Sequence, residues 1–207
     1  MNVTVRSGLL AAVAAAAVIP MLIAKSKDGP VYVDPGFKFE EVDTIYLLPA
    51  VDLTVNKEKD PEKHLQQVDC ATPFPLKKRG YTTVPEKVRC KEPNPPTRMT
   101  VTEDDLKQPE EAWIRKLGPE NAHWVLVLAL EDASSHMTFG STGKAIVMGT
   151  LFDRQNGKLV WRAVGTGKQG QGGLIGIAAK GAMTDMAIDS AVEDLCAKIE
   201  KRKGKGK

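Results

Sequence analysis

Three stretches of the chain combine residue types that do chemistry. Ser134-Ser135-His136 sets hydroxyls beside an imidazole, the ingredients of a nucleophile and its general base. Neighbouring residues rarely reach the required geometry, and no glycine-x-serine-x-glycine elbow is present. The stretch reads first as polar chain after an apolar strand. A hydrolase-type enzyme of unknown substrate stays as an alternative, and it needs a distant acid or base brought to His136.

Gly140-Ser-Thr-Gly143-Lys144 invites a phosphate-loop reading. That motif requires glycine where Thr138 stands and Ser or Thr where Ala145 stands, and it must open a helix whose N–H groups face the phosphates. This stretch leads into a strand. The third stretch, Gly165–Gly176, is glycine-rich and lies between an expected strand and an expected helix, where backbone amides can hold an anion. It lacks dinucleotide-fingerprint spacing. Three readings stand: a flexible connector that lets the helix pack closely, a partner-contacting loop, and an anion site. Lys168, Gly170, Gly172, Gly173 and Leu174 are the candidate partner contacts.

Glu131-Asp132 at a strand end reads as solvated acid. His64, His123 and His136 show no metal-ligand spacing, and the three cysteines are not in close pairs. No metal, cofactor or catalytic residue is assigned. Cys70 and Cys90 flank a proline-rich stretch. A disulfide between them would close a loop without a core of its own and stabilise by roughly 3 kcal/mol; two free thiols are the alternative. Cys196 falls on the apolar side of an expected helix, as a buried free thiol.

The elements that must position these residues follow from composition and periodicity. With 207 residues, 42% of them hydrophobic, the chain can build one domain with its own core. A net charge of +3 is concentrated in the last residues, Lys198 to Lys207, and no basic-aromatic stripe accompanies it, so nucleic acid is not an expected partner. Arg6 precedes an apolar run, Leu9–Ala24, which is short for a span of about 20 residues and suits a secretory signal. A retained inner-membrane anchor over residues 9–24 is the alternative. Residues 25–42 read as an extended linker, residues 43–200 as a single α/β domain with a proline-rich insert at about 70–100, and 201–207 as a basic tail.

Asp43–Leu53 reads as the first strand, bent or ended at Pro49. Residues 57–69 suit a short helix, and Gly80–Val84 a short strand. Thr102 can cap a helix opening with three acids. A second helix, with Pro109 in its first turn, runs to Leu117-Gly118 and buries Ala112, Trp113 and Leu117. His123–Leu130 is continuously apolar, the mark of a strand covered on both faces. Lys144–Asp153 and Lys158–Gly165 form a hairpin around Asn156-Gly157, with Leu159, Trp161 and Ala163 on one face and Val160, Arg162 and Val164 on the other. A long helix over about 174–201 carries Ile188, Val192, Leu195 and Ile199 at helical spacing. Trp113, Trp124 and Trp161 are core or interface aromatics. The predicted fold is α/β (α+β): a mixed sheet of about four to five strands, packed helices and a long C-terminal helix.

Local patterns add a resemblance. Leu117-Gly118 followed by the apolar strand, Phe152-Asp153 with Gly157-Lys158-Leu159-Val160-Trp161, and the alanine-bearing last helix resemble small bacterial envelope lipoproteins related to the curli-secretion lipoprotein, the penicillin-binding-protein activator lipoprotein and the amino-terminal domain of TolB. The resemblance covers roughly residues 43–200. It implies an α/β sandwich used for protein contacts in the periplasm or cell envelope, with no catalytic residues. The lipid-bearing Cys of such proteins is missing here, and the Cys70–Cys90 insert looks extra. The expected function is a non-catalytic binding or assembly accessory with envelope protein partners, associated with the membrane through an uncleaved N-terminus or through partners. The alternatives are the hydrolase and a self-assembling structural subunit.

Overall fold

The apolar run at 124–130 becomes the middle of the sheet because both of its faces find cover. In a computed structural model, which describes residues 31–55, 61–88, 90, 93–137, 140–172 and 180–202, this run opens a strand that reaches Met137. The strands are β1 (Val31–Val33), β2 (Thr44–Leu47), β3 (Val51–Asp52), β4 (Thr82–Val84), β5 (Trp124–Met137), β6 (Gly140–Asp153) and β7 (Lys158–Gly172). The helices are α1 (Pro61–Ala71), α2 (Pro73–Lys78), α3 (Glu103–Lys107), α4 (Glu111–Ile114) and α5 (Lys180–Ala197). One mixed sheet runs β1-β7-β6-β5-β2-β4, with β3 also on β5. β2 lies parallel to β4 and β5, whereas β5, β6 and β7 form an antiparallel meander. Seven strands exceed the four to five expected; the surplus comes from strands of two or three residues, too short to leave a periodic signal.

Pro49 acts as expected. β2 stops at Leu47 and β3 resumes parallel pairing with β5 at Val51; at the break the Ala50 N–H donates to Asp69 and the Ala50 carbonyl accepts from Arg98 instead of pairing with β5. Leu126, Leu128 and Leu130 enter one core with α1, α2 and α5, including Leu65, Leu76, Ile188, Val192, Leu195 and Trp161. Val125, Val127 and Ala129 enter a second core on the opposite face with Leu106, Ile114, Leu117 and Phe152. Trp124 and Trp161 are core residues, and Trp113 meets Phe152 edge-on.

Several local expectations change. Residues 31–42 are extended only in part: after β1 the chain turns, and Phe37 and Phe39 pack together, with Phe37 also on Trp124. The stretch between Cys70 and Cys90 is not irregular. Pro73 and Pro75 fall in the first turn of α2, where an N–H has no helical partner, and Leu76 and Tyr81 enter the core. α4 is a single turn after Pro109; it buries Ile114, with Leu117 beyond it, and leaves Ala112 exposed. A β-bulge at Leu151/Phe152 makes β7 spend one extra residue, so Val160 rather than Leu159 shares the face of Trp161 and Ala163. Thr102 does cap α3, in a capping box completed by Asp105.

The largest change concerns Gly165–Gly172, expected as the start of a loop. It is the distal half of β7, fully paired to β6 from Gly165↔Val147 to Gly172↔Gly140. Its glycines answer to packing. A Cβ on Gly165 would lie 2.1 Å from the Ala191 carbonyl oxygen, one on Gly167 1.8 Å from that of Ala187, and one on Gly143 2.3 Å from that of Met183. The α5 backbone therefore rests directly on the sheet, and close helix packing, foreseen for a connector, is achieved by a strand. Residues 173–179, with Gly173, Leu174 and the expected start of the last helix, lie outside the described residues, as do residues 1–30 and 203–207 with the signal or anchor and most of the tail.

Candidate functional site

Beyond Leu130, Val147 and Gly165 the three long strands continue as a ribbon that no longer spans two cores. A second bulge at Glu131 reverses the side-chain alternation of β5. One face of the ribbon, with Ala133, Gly143, Ala145, Gly165 and Gly167, lies under α5. On that side the Gln169 amide donates to Ser190 Oγ at 2.8 Å. The ladder puts Asp132, Ser134, His136, Thr142, Lys144, Ile146, Thr166, Lys168 and Gly170 on the other face. His136, Thr142, Lys144, Thr166, Lys168 and Gly170 are exposed there, and the rest are half-buried. Among the described residues, no helix packs on this face.

The groups singled out for chemistry gather here without forming a catalytic set. Ser134 and His136 share the open face at alternate positions of β5, and among the described residues no hydrogen bond joins them. Ser135 points to the opposite face. Asp132, the acid on the same face, is engaged with Lys144 Nζ at 2.9 Å. Gly140–Lys144 is the first part of β6 and opens no helix. No group of three or more His, Cys, Asp and Glu side chains that could hold a metal ion occurs among the described residues.

Charge on the open face is uneven. Lys144 pairs in register with Lys168, so two ammonium groups stand on neighbouring strands, an arrangement that is destabilising unless compensated. Asp132 compensates Lys144. Among the described residues, no carboxylate pairs with Lys168.

The outer edge of β7 is treated differently along its length. β1 covers it from Trp161 to Ala163. Beyond Ala163 no described strand continues that cover. α5 supplies side chains instead. Lys198 Nζ donates to the Val164 carbonyl at 2.6 Å, the Thr166 N–H donates to Asp194 Oδ2 at 2.9 Å, and Lys198 and Asp194 pair at 3.1 Å. In an antiparallel ladder the outward N–H and C=O groups recur at every second residue. The next outward sets are those of Lys168, Gly170 and Gly172, and among the described residues they have no partner. Three of the five candidate partner contacts thus lie on one open strand edge. The clamp by Asp194 and Lys198 was missed in the sequence because its partners are backbone atoms about thirty residues away.

Two further features lie away from this edge, on and beside α1. Cys70 and Cys90 form a disulfide with Cα atoms 5.3 Å apart. Near it, a cleft of about 430 Å³ opens between the β2–β3 corner and the segment after β4, lined by Leu48, Pro49, Pro85, Val88, Pro96 and Leu128 among others. Two of its polar groups serve the fold: the Thr72 hydroxyl donates to the Val68 carbonyl at 2.7 Å, and Asp69 is held by Arg98 from outside the lining. Arg98, a residue that sequence reasoning passed over, donates to both Glu62 carboxylate oxygens (2.7 and 2.8 Å), to Asp69 (3.0 Å) and to the Ala50 carbonyl (2.8 Å). Asp69 in turn accepts from the Ala50 N–H at 2.7 Å. Burial raises the Asp69 carboxyl above the ordinary value, against the lowering pull of the Ala50 amide and Arg98. Cys196 is a buried free thiol, pushed up to about 12 by burial.

No family model matches the sequence, and no curated protein matches it. Solved structures do. The chain is similar to the PelC dodecamer from Paraburkholderia phytofirmans, with 17% identity and a TM-score of 0.44 over 84% of this chain and 96% of that one. It is similar to lipoprotein GNA1162 from Neisseria meningitidis, with 14% identity and a TM-score of 0.40 over 70% of this chain and 98% of that one. It is also similar to protein XCC0632 from Xanthomonas campestris, with 11% identity and a TM-score of 0.38 over 81% and 90%. Its structural neighbours therefore include a bacterial lipoprotein. Among the described residues, no helix is long and apolar enough to cross a membrane.

Proposed function

We propose that this chain is a non-catalytic accessory of the bacterial cell envelope, exported to the periplasm, which works by protein–protein contact through the open face and edge of the β5–β7 ribbon. One observation carries the reading. The strands run for 14 or 15 residues, well beyond the five or six or so of an average strand, and over the added length they bury only one face. A sheet extended past its core, with α5 holding it rigid from behind, is a platform for another surface. The hydrolase alternative loses ground because Asp132, the acid beside Ser134 and His136, is held by Lys144.

The test is affinity capture from envelope extracts with purified protein. Replacing Thr142 and Thr166 with arginine should strongly reduce the captured partner. Replacing Lys116, exposed on the turn after α4, with glutamate should leave it unchanged. Equal capture by all forms removes the ribbon from the reading.

A further inference from the structure

Resting on the reading of the ribbon as a contact surface, we propose that β7 accepts an extended, acidic strand from a partner protein along its open edge, at Lys168, Gly170 and Gly172.

Three observations lead there. First, among the described residues the edge is closed by Asp194 and Lys198 as far as Thr166 and left open beyond. The clamp satisfies one donor and one acceptor that a neighbouring strand would otherwise take, so it sets where an added strand must begin. Open edges are normally guarded, and this one is guarded over part of its length. Second, the open part carries little bulk. On the open face, Gly170 and Gly172 follow Lys168 at alternate positions, so side chains from an added strand can lie over the ribbon without a clash. Third, the charge row is incomplete. Across the ribbon the order is Asp132 with Lys144 on β5 and β6, then Lys168 on β7. An acid on the next strand, opposite Lys168, would compensate the second lysine as Asp132 compensates the first. Pairing of this edge with the same edge of a second copy would bring no such acid, since that edge holds Lys168 and glycines.

Binding would add backbone hydrogen bonds at the outward groups of Lys168, Gly170 and Gly172 and one ion pair at Lys168. No covalent step is involved.

The experiment uses the full chain, isotope-labelled, in mild detergent. It is titrated with a short peptide of alternating valine and glutamate, and separately with one of alternating valine and lysine. The acidic peptide should bind roughly tenfold or more tightly than the basic one, with amide shifts centred on Lys168, Gly170 and Gly172, and the preference should weaken with salt. Lys168→Glu should reverse the preference. Gly170→Pro should abolish binding of both peptides: it removes an outward N–H and leaves the ladder to β6 intact, as proline on an edge strand allows. Unchanged binding by Gly170→Pro, no preference between the peptides, or self-association that Gly170→Pro removes while neither peptide binds would each overturn the proposal. The broader reading fails separately. If arginine at Thr142 and Thr166 leaves capture from extracts unchanged, the contact surface itself is wrong; if capture is lost there but no peptide binds the edge, only strand addition is wrong.

Discussion

The two halves of the long meander are made of the same three strands and meet opposite fates. Over the proximal half, Leu126 and Leu128 on one face and Val125 and Val127 on the other are fully buried, and helices cover both sides. Over the distal half, α5 still covers one face, through glycines rather than leucines, and the other face is polar. The first half is covered on both faces, and the second carries the contact surface that we propose. In the second, the sheet is held rigid by a helix on one side, so the exposed side keeps its shape without a core of its own.

The sharpest way to break this contrast is to add bulk on the two sides of the distal ribbon. Gly167→Val should be the most damaging change, since a Cβ there meets the α5 backbone at 1.8 Å. Overpacking of that kind costs about 3 kcal/mol or more when the obstacle is main chain. Gly170→Val on the open side meets the Thr142 methyl at 3.2 Å, and a side chain that can give way should hold the cost to about 0.5 kcal/mol. Urea denaturation of the two variants reads the difference, and similar losses would refute the assignment of faces.

Next in size is Leu128→Ala in the doubly covered half. The side chain is 2% exposed, and the truncation should cost about 2–4 kcal/mol, whereas Thr142→Ala should stay within about 0.5 kcal/mol. Removing the disulfide with Cys70→Ala and Cys90→Ala should cost about 3 kcal/mol, from the freedom regained by the loop between them. This loss should leave peptide binding at Lys168 unchanged, because the bridge lies on the α1 side of α5, across that helix from β7.

The smallest effect is a pH dependence confined to the covered half. Burial, with the Glu200 charge next, pushes the Tyr81 phenol up to about 12 from 10.0. Its proton is held more tightly in the folded state, so its stabilising contribution is complete below pH 10 and is lost as pH rises toward 12. Tyr81→Phe should remove that part of the alkaline decline, followed by denaturation midpoints across the same range.

The proximal half was legible in the sequence because its signals are local. Continuous apolar residues at 124–130 marked a doubly covered strand, Asn156-Gly157 marked the hairpin, Pro49 marked the break between β2 and β3, and Thr102 marked a cap. The distal half was misread as loop because glycine is ordinarily a poor strand former. Here Gly143, Gly165 and Gly167 are required by α5, which lies next to them in space and begins only at Lys180. A short strand such as β1 exists by pairing with a neighbour far along the chain, which leaves no periodic trace, whereas β4 falls within the strand expected at Gly80–Val84. The two bulges, at Glu131 and at Leu151/Phe152, reverse faces without any residue type that announces them. Lys168, Gly170 and Gly172 were read as part of a loop, and they sit on a strand edge.

The most direct test of the central claim is photo-crosslinking in intact cells, with a reactive residue placed at Thr142 on the open face, at Lys168 on the open edge, or at Lys116 on the far surface. The account predicts discrete adducts from Thr142 and Lys168 and none from Lys116. No adduct from the ribbon, or equal yields from all three positions, would contradict it.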